Sequence, residues 1–155
     1  MTNKLNWPLL ISCILLFDAA QAGDTGKSLA EYQPELTEEF KALLAKADMG
    51  KGETSFMRKC SSCHDHEKNA GHGKGPHLWN VMGRKAGSAP GFEYSTAMAG
   101  SGHTWDWATL NYYLTNTERA VPGRAMNFRG IRRDSARADL LLFLGSLNDQ
   151  PQPIP

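Results

Sequence analysis

The chain is 155 residues long, 41% hydrophobic and 9% aromatic, with 17 Lys+Arg against 16 Asp+Glu; this is the profile of one small soluble domain and argues against disordered or multidomain organisation. A formal net charge of +1 provides no pervasive positive field, so nucleic-acid binding is not expected. After Ala22 the β-branched apolar residues are only Val81, Val121, Ile131 and Ile154, against 15 Gly and 8 Pro in the chain, which disfavours a sheet and leaves short helices, long turn-rich loops and a thin core that needs something to pack around.

Lys4 precedes an apolar run over residues 9–17, and Ala20-Gln21-Ala22 places small residues where a signal peptidase reads. Residues 1–22 are therefore read as a signal peptide cleaved before Gly23, which puts the mature protein in the periplasm. The run is about half the roughly 20 residues a membrane-spanning helix needs, and Asp18 interrupts it. Leu10-Ile11-Ser12-Cys13 looks like a lipoprotein cleavage box, but apolar residues continue to Phe17 and Cys13 is taken as part of the signal.

Residues 23–34 are polar and weakly patterned, a flexible lead. Leu36, Phe40, Leu43, Leu44 and Ala47 recur at helical spacing behind Thr37 as N-cap, with Glu38 and Glu39 in the first turn. This short amphipathic helix completes an N-terminal extension, 23–47, ahead of a main domain, 48–155. Asp48 can cap a second helix reaching Cys60, with Gly52, Phe56 and Cys60 on one face. Dense Gly and Pro make residues 65–91 loop, and a short helix can follow over 94–100. Thr104 or Asp106 opens another, with Trp107, Leu110, Tyr113 and Leu114 at core spacing and Asn116 near its end. Ser135 can cap a last helix that carries Leu140, Phe143, Leu144 and Leu147 on one stripe, and the proline-rich tail stops it.

Cys60-Ser61-Ser62-Cys63-His64 has the spacing of a c-type haem attachment site. Two thiols one turn apart can each add to a haem vinyl group, and the adjacent imidazole reaches the iron. A zinc site recruiting His66, His72, His77 or His103, a redox dithiol and a structural disulfide compete with this reading. Of the methionines, Met57 and Met82 read as gap-filling core, whereas Met126 sits in the polar, turn-rich Pro122-Gly123-Arg124-Ala125-Met126-Asn127-Phe128 segment and is a candidate iron ligand. His66 and His77 read as surface residues, and His72 as a loop brace.

Gly52, Phe56, Cys60-x-x-Cys63-His64, Gly75-Pro76-x-Leu78, Gly83-Arg84, Pro90-Gly91-Phe92-x-Tyr94, Trp105, Tyr113-Leu114, Pro122-Gly123-x-x-Met126 and Leu140, Phe143 together resemble the class I cytochromes c, mitochondrial and bacterial periplasmic, from about Asp48 to Leu147. The resemblance implies an all-α class I cytochrome c fold, short helices and long loops wrapped around one covalently bound haem c. It implies His64 as proximal ligand, with its other ring nitrogen donating to the Pro76 carbonyl, and Met126 as distal ligand. It further implies that Arg84, Tyr94 and Trp105 serve the inner propionate, that Tyr113 lies beside the Met sulfur, that Phe128 shields the haem face, and that Gly52 lets the first and last helices of the domain cross closely. Met98, Thr117, Glu118 and Arg124 depart from the usual pattern.

The function implied is a soluble, monomeric one-electron carrier and not an enzyme. It would exchange electrons with a periplasmic dehydrogenase, one oxidising sulfite or an alcohol among the candidates, with a cytochrome bc1-type complex or with a terminal oxidase. Docking would be transient, through a basic face drawn from Lys59, Lys68, Lys74, Arg84, Lys85, Arg119 and Arg124. The alternative is a haem enzyme or gas-binding sensor with a labile sixth ligand.

Overall fold

The computed structural model describes residues 26–155, so the signal segment and Cys13 lie outside the described residues. Among these residues the helices are α1 (Glu38–Leu44), α2 (Met49–Lys59), α3 (Thr96–Ala99), α4 (Trp107–Thr115), α5 (Thr117–Ala120) and α6 (Asp134–Ser146). The only β pairing described is an isolated antiparallel bridge between Lys85 and Thr104. The architecture is all-α, as the sequence implied, and no described helix is long and apolar enough to cross a membrane.

Local chemistry sets most helix starts. The Thr37 hydroxyl accepts from the Phe40 amide at 3.2 Å and the Asp48 carboxylate from the Lys51 amide at 3.0 Å. At α4, Asp106 accepts from the Thr109 amide at 2.7 Å while the Thr109 hydroxyl accepts from the Asp106 amide at 2.8 Å, a reciprocal capping box. Asn116 both ends α4 and caps α5, accepting from the Arg119 amide at 3.1 Å; periodicity did not anticipate this one-turn helix. The expected Ser135 cap is corrected: α6 starts two residues earlier, with Arg133 in the cap position and no side-chain cap. Arg137 ties that end instead, donating to Asp134 at 2.6 Å and to the Ile131 carbonyl at 2.7 Å.

The centre of the fold is the crossing of α2 and α6. Gly52 makes it possible, because a Cβ there would lie 2.9 Å from the Phe143 Cβ and collide with the Asp139 carbonyl. Phe56 then reaches Phe143 with ring centroids 5.3 Å apart. Helix α1 packs on α6 with Phe40 and Leu44 buried.

Two sequence expectations fail here. Residues 26–34 are not a loose lead: Leu29 is buried, its amide donates to the Ala120 carbonyl at 2.8 Å, Tyr32 packs on Tyr112, and the Tyr112 hydroxyl donates to the Lys27 carbonyl at 2.6 Å. A few spaced apolar residues suffice when α4 and α5 already present a surface for them. Met57 is not core but 51% exposed, because α2 turns its Gly52–Phe56 face to α6.

Candidate functional site

The end of α2 winds into a turn. The Cys60 amide donates to the Phe56 carbonyl at 2.8 Å, and the Cys63 and His64 amides fold back on the Cys60 carbonyl at 3.0 and 2.9 Å. Cys60 and Cys63 therefore sit one turn apart as free, half-buried thiols, not as a disulfide. Burial pushes the Cys60 thiol up to about 11, so it is held neutral at physiological pH.

His64 Nδ1 lies 2.7 Å from the Pro76 carbonyl oxygen. A carbonyl only accepts, so Nδ1 carries the proton and Nε2 the lone pair. Burial lowers the His64 pKa more than the Pro76 bond restores it, and nearby Arg84 lowers it further, which keeps the ring neutral and able to ligate. Gly75 is obligatory against this ring: a Cβ would stand 2.7 Å from Nδ1 and closer still to Cε1. The Gly75 amide donates to the Cys63 carbonyl at 2.8 Å, fastening the Gly75-Pro76 loop to the thiol turn.

These groups open on a cavity of about 510 Å³. All ten residues that the resemblance assigned to the haem, Cys60, Cys63, His64, Pro76, Arg84, Tyr94, Trp105, Tyr113, Met126 and Phe128, line it, although they come from the turn that follows α2, the 65–91 loop, the segments on either side of α3, α4 and the 121–130 loop. Helix α6 closes it with Leu140 and Leu144. The Tyr113 hydroxyl is 3.9 Å from the Met126 sulfur, and burial raises its pKa, so it stays a protonated donor. Arg84 donates to the carbonyls of His77 at 3.0 Å and Trp79 at 3.4 Å, which fixes a cationic head in a wall that is otherwise mostly apolar.

The sequence reading missed Leu78, Val81, Leu110 and Leu114 as wall residues, although Leu110, Tyr113 and Leu114 recur at the three- and four-residue spacing that marks one helix face. Histidine roles also resolve. His72 braces its loop, with Nε2 donating to the Pro90 carbonyl at 2.9 Å and Nδ1 accepting from the His77 amide at 3.2 Å. His66 and His77 are half-buried, not surface residues; His66 packs on Phe56 and Phe143. Among the described residues, no three His, Cys, Asp or Glu side chains are grouped to hold a metal ion on their own.

The expected basic face narrows. Arg124 is turned inward and paired with Glu118, Lys68 is paired with Asp149 at 2.6 Å, and Arg119 lies over the Tyr112 ring. Lys59 and Lys74 remain exposed at the cavity.

The donor set suits a large, flat, apolar group with anionic substituents and a ligand-accepting metal: two thiols one turn apart, a neutral imidazole, a thioether and one fixed guanidinium. Residues 49–148 match the cytochrome c family. The chain is 37% identical over 139 residues to a protein described as a cytochrome c homolog from Bradyrhizobium diazoefficiens, covering 89% of this chain and 72% of that one. It is 47% identical over 106 residues to cytochrome c2 of Rhodomicrobium vannielii, covering 68% and 84%, and 42% identical over 97 residues to cytochrome c of Chlamydomonas reinhardtii, covering 63% and 87%.

Proposed function

The chain belongs to the cytochrome c family, whose members carry one covalently attached haem c and transfer electrons, and from that premise we propose a periplasmic one-electron carrier with its iron ligated by His64 and Met126. The observation that carries this reading is the fixed tautomer of His64. Its Nδ1 is committed to Pro76, so Nε2 is presented as a ligand from the same turn that holds both thiols.

When bound, the haem iron supplies the one-electron couple. The chain's own residues do the rest. Cys60 and Cys63 would anchor the group through thioethers, and His64 and Met126 would hold its iron and so leave substrate no place on the metal. The Tyr113 hydroxyl orients the Met126 sulfur. Apolar walls from α4 and α6 keep water out and disfavour the extra positive charge of the oxidised state, which raises the potential. Arg84 offsets propionate charge, with Tyr94 and Trp105 beside it. Residues 1–22 serve as an export signal. Electrons arrive from a dehydrogenase or a bc1-type complex and leave to an oxidase or another acceptor.

The test is the spectrum of the holoprotein. Wild type should show the methionine-to-ferric-iron charge-transfer band and resist carbon monoxide when reduced. Met126→Ala should keep its covalent haem, lose the band and fall in potential. An unchanged spectrum in that variant removes Met126 from the iron, and rapid carbon monoxide binding by wild type supports a labile-ligand enzyme or sensor instead.

A further inference from the structure

We propose that Arg124 is a positioning residue that latches the Met126 loop shut by tying together the two stems of that loop. The inference rests on Met126 being the iron ligand and concerns what keeps it there.

Between α5 and Gly130 the chain has no regular structure, and its backbone bonds are sparse: Arg124 to the Val121 carbonyl at 3.2 Å and Phe128 to the Met126 carbonyl at 3.1 Å. The Arg124 guanidinium closes the neck. Its Nε donates to the Thr117 hydroxyl at 2.8 Å, one terminal nitrogen pairs with the Glu118 carboxylate, and the other reaches the Phe128 carbonyl at 3.4 Å. The Thr117 hydroxyl in turn donates to the same Phe128 carbonyl. Thr117 and Glu118 precede the loop on α5, and Phe128 follows Met126 by two residues, so one planar fork spans the ligand from both sides.

The geometry favours a net gain. The Arg124 side chain is 8% exposed while Glu118 is 66% exposed, so the guanidinium is desolvated against satisfied acceptors while the carboxylate keeps most of its hydration. A lysine carries the same charge but cannot reach three acceptors in one plane. The latch is also local, since Thr117, Glu118 and Arg124 join residues of one short segment and leave the α2–α6 crossing untouched. Thr117, Glu118 and Arg124, three departures from the family pattern, are thus one device.

An external ligand such as imidazole can bind ferric iron only while Met126 is detached, so its binding rate reads loop opening. Arg124→Lys in the oxidised holoprotein should speed imidazole ligation about tenfold, the effect of losing a fork but not a charge. Glu118→Gln, at an exposed position that tolerates the change, should speed it less. Any fall in stability read from the denaturant midpoint of the helical signal should be no larger than the change in ligation implies, whereas a general loss of stability would exceed it. Wild-type ligation rates in both variants overturn the latch alone. A charge-transfer band that survives Met126→Ala overturns the ligand assignment and the latch with it.

Discussion

His103 shows what burial does to a titratable ring whose polar neighbours only partly offset it. It is buried, meets Trp105 edge-on with centroids 4.2 Å apart, and has no hydrogen-bond partner at either ring nitrogen. Burial lowers its pKa below 6.5, and the Ser101 backbone and the Asp106 carboxylate offset this only in part. A folded-state value below the unfolded one means that the neutral ring is favoured in the fold. Its contribution is fully present above the unfolded value and is lost as pH falls through about 6.5 toward the lower folded value. His103→Leu should therefore flatten the decline of thermal midpoint between about pH 7 and pH 5. Identical profiles for variant and parent would remove His103 as the source. At this scale the haem-attachment motif was legible because its chemistry is local in sequence. The burial of His103 was not, because it depends on a separate segment, whose Ala86 amide donates to the His103 carbonyl at 2.9 Å beside the Lys85–Thr104 bridge.

Helix boundaries were largely readable, since Thr37, Asp48 and Asp106 act on amides three residues away. Contacts that join distant segments were not. The packing of residues 26–34 on α4 and α5 depends on Leu29 and Tyr32 finding Ala120 and Tyr112, which no local pattern encodes. Leu29→Ala should consequently cost about 2 kcal/mol or more, the penalty of a large-to-small change in a core, where a flexible lead would show no effect; chemical denaturation decides between them. Gly52→Ala places a methyl group against the Asp139 carbonyl and Phe143, so α2 must move off α6. A loss of about 1–3 kcal/mol is expected from such overpacking, and a stability equal to wild type would mean that the crossing can slide.

For the whole molecule the decisive quantity is the volume that the helices surround. The walls of the cavity of about 510 Å³ are mostly apolar, so a group bound there completes the core by removing that surface from water. Chain that never receives its haem, or Cys60→Ala with Cys63→Ala, should lose near-ultraviolet circular dichroism and cooperative unfolding. A sharp thermal transition in that material would show that the core is complete without the group. Long-range charge acts at the same scale. With a net charge of +1 and several cations already paired, steering falls to local residues such as Lys59 and Lys74. Reversing both to Glu should slow association with an acidic redox partner about tenfold at low salt and weaken its salt dependence, as stopped-flow mixing would show.

The sequence by itself determined the all-helical class, most helix starts and the chemistry of the thiol turn, because capping, periodicity and the reach of adjacent side chains all act within a few residues. Only the tertiary structure decided that ten side chains from separate segments share one cavity, that residues 26–34 are packed, and that Arg124 faces inward to Glu118 and not outward to a partner. Those outcomes depend on which surfaces remain to be buried once the helices have crossed, and that is set by the packing of the whole chain.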